Sequence, residues 1–485
     1  MAISKSMLVN ATRQKNTFTE KGMPTNSTSL NACVDMFFMA GSARHWDDEK
    51  IEKLFQKALS EDPLMALKLM FWTRDIRGGA GERNFFRVCL NYLRNYYRAY
   101  LSKNIELIPE YGRWDDMTNL LSVGNNDQID NEVISIIKKV LYGDDASKAL
   151  LAKWLDRKGN KANKIRRHLK LTPKDYRKLI VGLSSTVEQL MCEKRFDEIP
   201  YSHVPSVAMN KYRKAFYRND EDRFKDYVDD VKSGVSKMCA SAIYPYQIYD
   251  AFEKARTEDD IKAIEAQWYS LPNYMEGSTE RILPMVDTSG SMGFYGALPA
   301  RVAWSLGIYI SERNVGIFKD AFVTFSSVPQ MYYLTGSVAE RIRSIGKAPW
   351  KQTTNFAAAF DLILRKALEN NIPESEMPTT LLVLSDLQFD PDHSNYNNTS
   401  FEMIKEKYNK AGYKIPRIVY WNLRASEGNV TASAYDENVG LISGYSPACL
   451  KSILIGENIS QEKKETPYEM MVRTINSERY EAVKI

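Results

Sequence analysis

The sequence predicts a multidomain α plus α/β protein, a helical-repeat region followed by a doubly wound α/β domain. Two observations carry that reading. In the first half, apolar residues recur at three- and four-residue spacing, as in Phe85, Val88, Cys89, Tyr92 and Leu93, which is the period of one helix face. After Tyr274-Met275-Glu276-Gly277, short apolar runs alternate with helical stretches, which argues for a mostly parallel sheet covered on both faces. A length of 485 residues fits two or three domains, and 44% hydrophobic with 26% charged residues describes a globular chain.

Taken in order, residues 1–30 are polar and irregular and are expected to form an N-terminal arm. Residues 31–274 form the expected helical domain. Its helices are expected over Glu49–Leu59, Pro63–Asp75, Glu82–Leu101, Trp114–Leu121, Asp130–Tyr142 and Ala146–Asp156. They continue over Thr172–Glu188, Tyr212–Lys225, Gly234–Cys239, Tyr244–Ala255 and Thr257–Ala266. Ser60-Glu61-Asp62-Pro63 and Thr172-Pro173 are helix-start signals. Many short helices with tight links suggest an α-solenoid of helix pairs, although no clean repeat period is visible.

Residues 275–485 form the expected α/β domain. Strands are expected at Ile282–Val286, Thr380–Leu384, Ile415–Trp421 and Val439–Ser443, with an antiparallel pair at Asp320–Phe325 and Gln330–Leu334. Helices are expected at Ala297–Glu312, Val338–Ile345, Phe356–Asn370, Phe401–Ala411 and Pro447–Ile455. In such a sheet, ligands bind beyond the carboxyl ends of the strands. Asp287 and Asp386 both follow strand-like runs and reach such ends.

Asp287-Thr288-Ser289-Gly290-Ser291 places one carboxylate and two hydroxyls after the first of these strands. These are hard oxygen ligands, suited to Mg²⁺ or Mn²⁺. As a bare sequence the segment also suits a capped turn. The spacing resembles the metal-ion-dependent adhesion site (MIDAS) of von Willebrand factor A domains. That resemblance implies metal ligands Asp287, Ser289 and Ser291, then Thr354 (Thr353 is the alternative) before the helix at Phe356, then Asp386 reaching the metal through water. It also implies one open position for an acidic group on a protein partner.

Charge is uneven along the chain. Residues 1–274 hold 44 Lys and Arg against 37 Asp and Glu, while residues 275–485 hold 22 against 24. Residues 148–178 carry 12 basic side chains against Asp156 and Asp175 alone, a footprint expected for a polyanion partner or for a solvated helix face. The candidate polyanion-binding cations are Lys153, Arg157, Lys158, Lys161, Lys164, Arg166, Arg167, Lys170 and Lys174. Tyr176, Tyr212, Phe216 and Tyr217 could stack on unpaired bases, against the general tendency of aromatics at helical spacing to be core.

A glycine-rich turn, Trp72-Thr73-Arg74-Asp75-Ile76-Arg77-Gly78-Gly79-Ala80-Gly81-Glu82-Arg83, joins two helices, and Glu110-Tyr111-Gly112-Arg113-Trp114-Asp115-Asp116 is a second turn. For Arg74, Asp75, Arg77 and Arg83, a salt-bridged turn and an RNA contact are both open. A helical domain with the first turn, joined to an A-domain, resembles the Ro autoantigen (TROVE-module) family over nearly the whole chain. Ser443-Gly444-Tyr445-Ser446 is closer to that family's uncharacterised viral, bacterial and plant relatives. The resemblance implies a ring of HEAT-like helical repeats that binds small structured RNAs on a basic surface and takes single-stranded ends, as a ribonucleoprotein linked to RNA quality control.

Several classes are disfavoured. The five cysteines lack any CxxC and the four histidines are scattered, so neither a zinc site nor a disulfide framework is indicated. No signal-peptide h-region and no long apolar run is present, so a cytoplasmic protein without membrane attachment is expected. Asp287-Thr288-Ser289 lacks the glycine and the second copy of an aspartic protease, and no GxSxG, Walker A or HExxH occurs. The expectation is a non-enzymatic, monomeric RNA-binding protein with a Mg²⁺-binding MIDAS, its origin compatible with phage or bacteria. The alternative is a metal-dependent protein–protein scaffold or virion-associated component without RNA binding.

Overall fold

Six strands form one sheet in the order β5-β4-β3-β6-β7-β8, where β3 is Ile282–Asp287, β4 Ala321–Phe325, β5 Met331–Tyr333, β6 Thr380–Ser385, β7 Arg417–Asn422 and β8 Val439–Ser443. A separate two-stranded ribbon pairs β1 (Thr17–Phe18) with β2 (Pro24–Thr25). The structure is a computed structural model. It describes residues 16–20, 22, 24–122, 124, 127–144, 146–184, 186–293, 298–325, 328–345, 356–389, 398–454 and 464–485.

All six expected strands are present within two residues of their expected ends. β4 and β5 are antiparallel, and every other pairing in the sheet is parallel. Every residue of β3 and β6 is buried, which is why both read as near-continuous apolar runs instead of alternating ones. Helix Leu298–Arg313 packs on β3, β4 and β6. Gly307 of that helix permits the close approach: a Cβ there would lie 2.7 Å from Cγ2 of Val286.

The contacts divide the chain into two units. One comprises Met1–His45, Tyr244–Asp250 and Asn273–Thr474; the other comprises Trp46–Ile243, Ala251–Pro272 and Ile475–Ile485. These divisions differ from boundaries at residues 30 and 274, because each unit takes in a segment from the far end of the sequence. Helix Ala32–Met39, capped by the Asn31 side chain on the Val34 amide, packs on β7 and β8. Asn422, at the end of β7, donates to the Phe38 carbonyl at 3.1 Å. Ser443, at the end of β8, donates to the Phe37 carbonyl and accepts from the Gly41 amide, both at 2.9 Å. In the helical unit, Arg479 pairs with Asp75, Tyr480 donates to the same carboxylate at 3.1 Å, and the Tyr480 ring stacks on Tyr111 at 5.6 Å.

The helical unit starts its helices where the sequence signals do. Asp62 accepts from the Met65 amide ahead of helix Pro63–Arg74, and Thr172 from the Asp175 amide ahead of Pro173–Leu183. Three expected helices are each two in the structure. Glu82–Leu101 breaks at Tyr97 into Arg83–Tyr96 and Arg98–Asn104, and Thr172–Glu188 breaks after Leu183 before Val187–Cys192. Tyr212–Lys225 breaks at Asp220, between Ser206–Asn219 and Glu221–Lys232. The expected helix Gly234–Cys239 is not helical: Gly234 has φ +80 just beyond helix Glu221–Lys232 and ends it. Helix Asn160–His168 occupies the basic stretch to which no element was assigned.

Around Ile199, Tyr201, Phe216, Phe224 and Val228 lies a core of this unit. Elsewhere, Asp130 is fully shielded and receives Lys164 at 2.5 Å, Arg94 at 3.1 Å and the Ser122 hydroxyl. Burial opposes the ionisation of Asp130, but the hydrogen bonds from Lys164, Ser122 and Arg94 outweigh it and hold the carboxyl well below the usual range.

Candidate cation site and basic surface

β3 and β6 are neighbouring parallel strands, with Val286 opposite Leu384. The chain leaves β3 toward β4 on one side and leaves β6 toward β7 on the other. The carboxyl ends of these two strands are therefore the point where strand order reverses, the place at which open α/β sheets bind ligands. Asp287 ends β3 and Asp386 follows β6, each 1% exposed.

Hydroxyls link the two carboxylates. The Ser289 amide donates to Asp287 Oδ1 at 2.8 Å, Ser289 Oγ lies 2.9 Å from Ser291 Oγ, and Ser291 Oγ donates to Asp386 Oδ1 at 3.3 Å. The Ser385 hydroxyl donates to Asp287 Oδ2 and accepts from the Leu387 amide at 2.8 Å. Leu387 itself has φ +60, so β6 ends in a tight turn that carries Asp386. Ser385 was not among the expected site residues; the signal was a hydroxyl residue directly before the acidic one.

Burial, and then the nearby Asp386 charge, push the Asp287 carboxyl up to about 6, against the Ser385 and Ser289 hydrogen bonds. Among the described residues no basic side chain forms an ion pair with Asp287, and the buried Thr288 hydroxyl has no hydrogen-bond partner. Among the described residues no group of three or more His, Cys, Asp or Glu side chains is placed to hold a metal ion by itself. The donor set is thus two carboxylates and serine hydroxyls, which fits a hard cation such as Mg²⁺ and not a thiophilic one. Thr354 and its alternative Thr353 lie outside the described residues.

The N-terminal ribbon braces the turn after β6. Gln388, also buried, accepts from the Glu20 amide at 2.9 Å, and Thr19 donates to the Phe389 carbonyl at 2.9 Å. Asn429 donates to the Leu387 carbonyl at 2.9 Å and accepts from Thr25 at 3.1 Å.

The nine candidate cations of the helical unit fall into two groups. Arg157, Lys158, Arg167, Lys170 and Lys174 are exposed, and no acidic partner is present for them among the described residues. The others are engaged. Lys164 is buried on Asp130, Lys153 lies 3.7 Å from Glu188, Lys161 reaches Asn119 at 2.5 Å, and Arg166 reaches Asn163 at 2.9 Å. Lys178, exposed on helix Pro173–Leu183, adds a cation that was not singled out.

The aromatics considered for base stacking serve packing. Tyr176 and Phe216 are buried, Tyr176 donates to the Asp156 carbonyl at 3.1 Å, and Tyr217 donates to the Asp259 carbonyl at 2.7 Å with its ring edge-on to Phe224. Tyr212 is half-buried, 3.4 Å from Glu188. In the glycine-rich turn, Arg74 pairs with Asp116 at 2.8 Å and Asp75 is held by Arg479. The turn closes through backbone: Ala80 and Glu82 amides donate to the Trp72 and Thr73 carbonyls, and a Cβ on Gly79 would meet the Trp72 carbonyl at 2.0 Å. For Arg74 and Asp75 the salt-bridged turn is what the structure contains.

Residues 282–484 match a domain of unknown function, DUF7788. Over 494 residues the chain is 28% identical to "Uncharacterized protein L728" of Acanthamoeba polyphaga mimivirus, covering 91% of this chain and 85% of that one. Among solved structures it is similar to the Ro (RSR) protein of Deinococcus radiodurans at 12% identity and a TM-score of 0.38, covering 88% of this chain and 99% of that one. A second family model, a domain of unknown function named DUF2828, matches residues 19–178 and 130–279. That match spans more than half of the sequence, and the chain belongs to the DUF2828 family.

Proposed function

We propose that the protein is a non-enzymatic, Ro-like RNA-binding protein that holds structured or single-stranded RNA on the helical unit. The observation that carries this reading is the set of exposed cations Arg157, Lys158, Arg167, Lys170 and Lys174 without acidic partners among the described residues. Unneutralised cations on one short stretch suit phosphates and give affinity without base specificity. The sequence resemblance to the Ro family supports the same partner.

In the α/β unit, Asp287, Ser289 and Ser291 would hold Mg²⁺ or Mn²⁺, with Asp386 acting through water. When bound, the cation supplies an electrophilic centre for an acidic group on a protein partner. The chain's own residues do the positioning: Ser385 orients Asp287, and the Leu387 turn presents Asp386.

RNA binding is measured by fluorescence polarisation at several salt concentrations. Affinity is expected to fall with salt by about 0.7 log units per phosphate contact per log unit of salt. The double variant Lys170→Glu, Lys174→Glu should weaken it at least tenfold, since both cations are exposed. No salt-dependent affinity in the wild-type protein would overturn the reading. The Asp287–Asp386 arrangement favours a second reading, a metal-dependent protein scaffold. Partner binding lost in Asp287→Ala but intact in the lysine variant would favour that one.

A further inference from the structure

Four arginines of the helical unit, Arg74, Arg83, Arg87 and Arg113, come from the two turns and the helix Arg83–Tyr96. Two of them are neutralised. Arg74 pairs with Asp116 at 2.8 Å, and Arg87 with Asp116 at 2.6 Å and Asp115 at 2.7 Å. The guanidinium groups of Arg83 and Arg113 have no hydrogen bond or ion pair among the described residues, and Arg83 Nε is shut away from solvent without a partner. Arg113 instead lies over the Trp154 ring, 4.8 Å from its centroid.

Arg83 lies one turn before Arg87 on the same face of the helix Arg83–Tyr96, Arg87 holds Asp115 and Asp116, and Arg113 opens the short helix that carries those two aspartates. Burial first, and then the charge of Arg83, lower the proton affinity of Arg113, against the opposing charges of Asp115 and Asp116. Unpaired charge in a half-buried place is costly, and an anion would relieve it. A guanidinium offers a planar fork of donors that matches a phosphate, and an aromatic ring behind it fixes the orientation of that fork. Trp154 lies three positions before Arg157, where the exposed basic segment begins. Burial first, and then the charge of Arg87, lower the proton affinity of Lys161 of that segment against the charges of Asp156 and Asp115, so Arg87 lies beside it as well.

We propose that Arg83 and Arg113, the latter backed by Trp154, form a seat for one phosphate group, and that the phosphate is one from the backbone of RNA lying on Arg157 to Lys174. Only the source of the phosphate rests on the RNA reading; the seat is defined by its own residues.

The test titrates inorganic phosphate into the full-length protein at constant ionic strength, reading tryptophan fluorescence, and then repeats the RNA measurement. Wild type should give a saturable fluorescence change that Arg113→Gln loses and that Trp154→Phe, which keeps the ring, no longer reports. Arg113→Gln should also weaken RNA binding by about tenfold and shallow the salt slope by nearly one contact. Arg113→Lys, which keeps the charge and guards against a folding defect, should fall in between. Absence of any saturable phosphate response in wild type, or an Arg113→Gln protein that binds phosphate and RNA like wild type, would overturn the seat. Phosphate binding that Arg113→Gln abolishes, in a protein with no RNA affinity at any salt, keeps the seat and overturns RNA as its source.

Discussion

Ser385 donates its hydroxyl proton to Asp287, although the two residues belong to different strands and lie 98 positions apart in sequence. The residue that ends one strand thus holds the carboxylate that ends its neighbour. Replacing Ser385 with Ala would leave Asp287 Oδ2 buried without that donor. The expected cost is about 1–3 kcal/mol of stability, with Mg²⁺ affinity falling by about tenfold, as for residues that orient metal ligands. Urea unfolding with and without Mg²⁺ reads both effects.

Because Asp287 and Asp386 are buried together, a cation bound there stabilises the folded state by an amount that grows with the logarithm of its concentration over its dissociation constant. Mg²⁺ at about a hundred times its dissociation constant should stabilise the wild type by about 2.7 kcal/mol. The thermal midpoint should rise with Mg²⁺ and be insensitive to it in Asp287→Ala. An unchanged midpoint in wild type would remove the cation site.

Asp130 predicts the acid behaviour of the helical unit. Its carboxyl is held below the usual value in the folded state by Lys164, Ser122 and Arg94. A lowered folded pKa contributes stability above the unfolded value, near 4, and that stability is lost as pH falls through the range below it. Asp130→Asn should therefore destabilise the unit by about 3 kcal/mol at neutral pH, since it leaves Lys164 and Arg94 without their buried partner. The difference between the two proteins should shrink below about pH 4, which denaturation at a series of pH values will show.

Gly307→Ala tests how closely helix Leu298–Arg313 approaches the sheet. The added methyl would sit 2.7 Å from Val286, and overpacking of this kind costs about 1–3 kcal/mol. Val286 immediately precedes Asp287, so the shift should also weaken Mg²⁺ binding more than a substitution elsewhere on the helix. A midpoint equal to wild type would mean that the helix can move away freely.

The α/β unit was more legible in the sequence than the helical one, for physical reasons. Buried parallel strands such as Ile282–Val286 and Thr380–Leu384 stand out as apolar runs between polar turns, and an aspartate after each marks the sheet's ligand end. The helical breaks at Tyr97 and Asp220 have no glycine or proline at the junction to announce them. The placement of Ala32–Met39 on β7 and β8 was hidden because its partners Asn422 and Ser443 lie about four hundred positions away. Lys164 shows the limit of reading charge alone: its helix neighbours Arg166 and Arg167 look equivalent in sequence, and only the fold turns Lys164 toward Asp130.

Asp75 has to wait for its partners. Arg479 and Tyr480 lie 404 and 405 positions further along the chain. At about 5–20 residues per second of synthesis, roughly 20 to 80 s separate the carboxylate from the guanidinium that neutralises it. During that interval residues 46–272 can form helices but cannot bury Asp75 with its charge compensated. Completion of the helical unit is therefore timed by translation of the sheet that intervenes, and a ribosome stalled within residues 273–474 would display a helical unit in which Asp75 still lacks Arg479 and Tyr480.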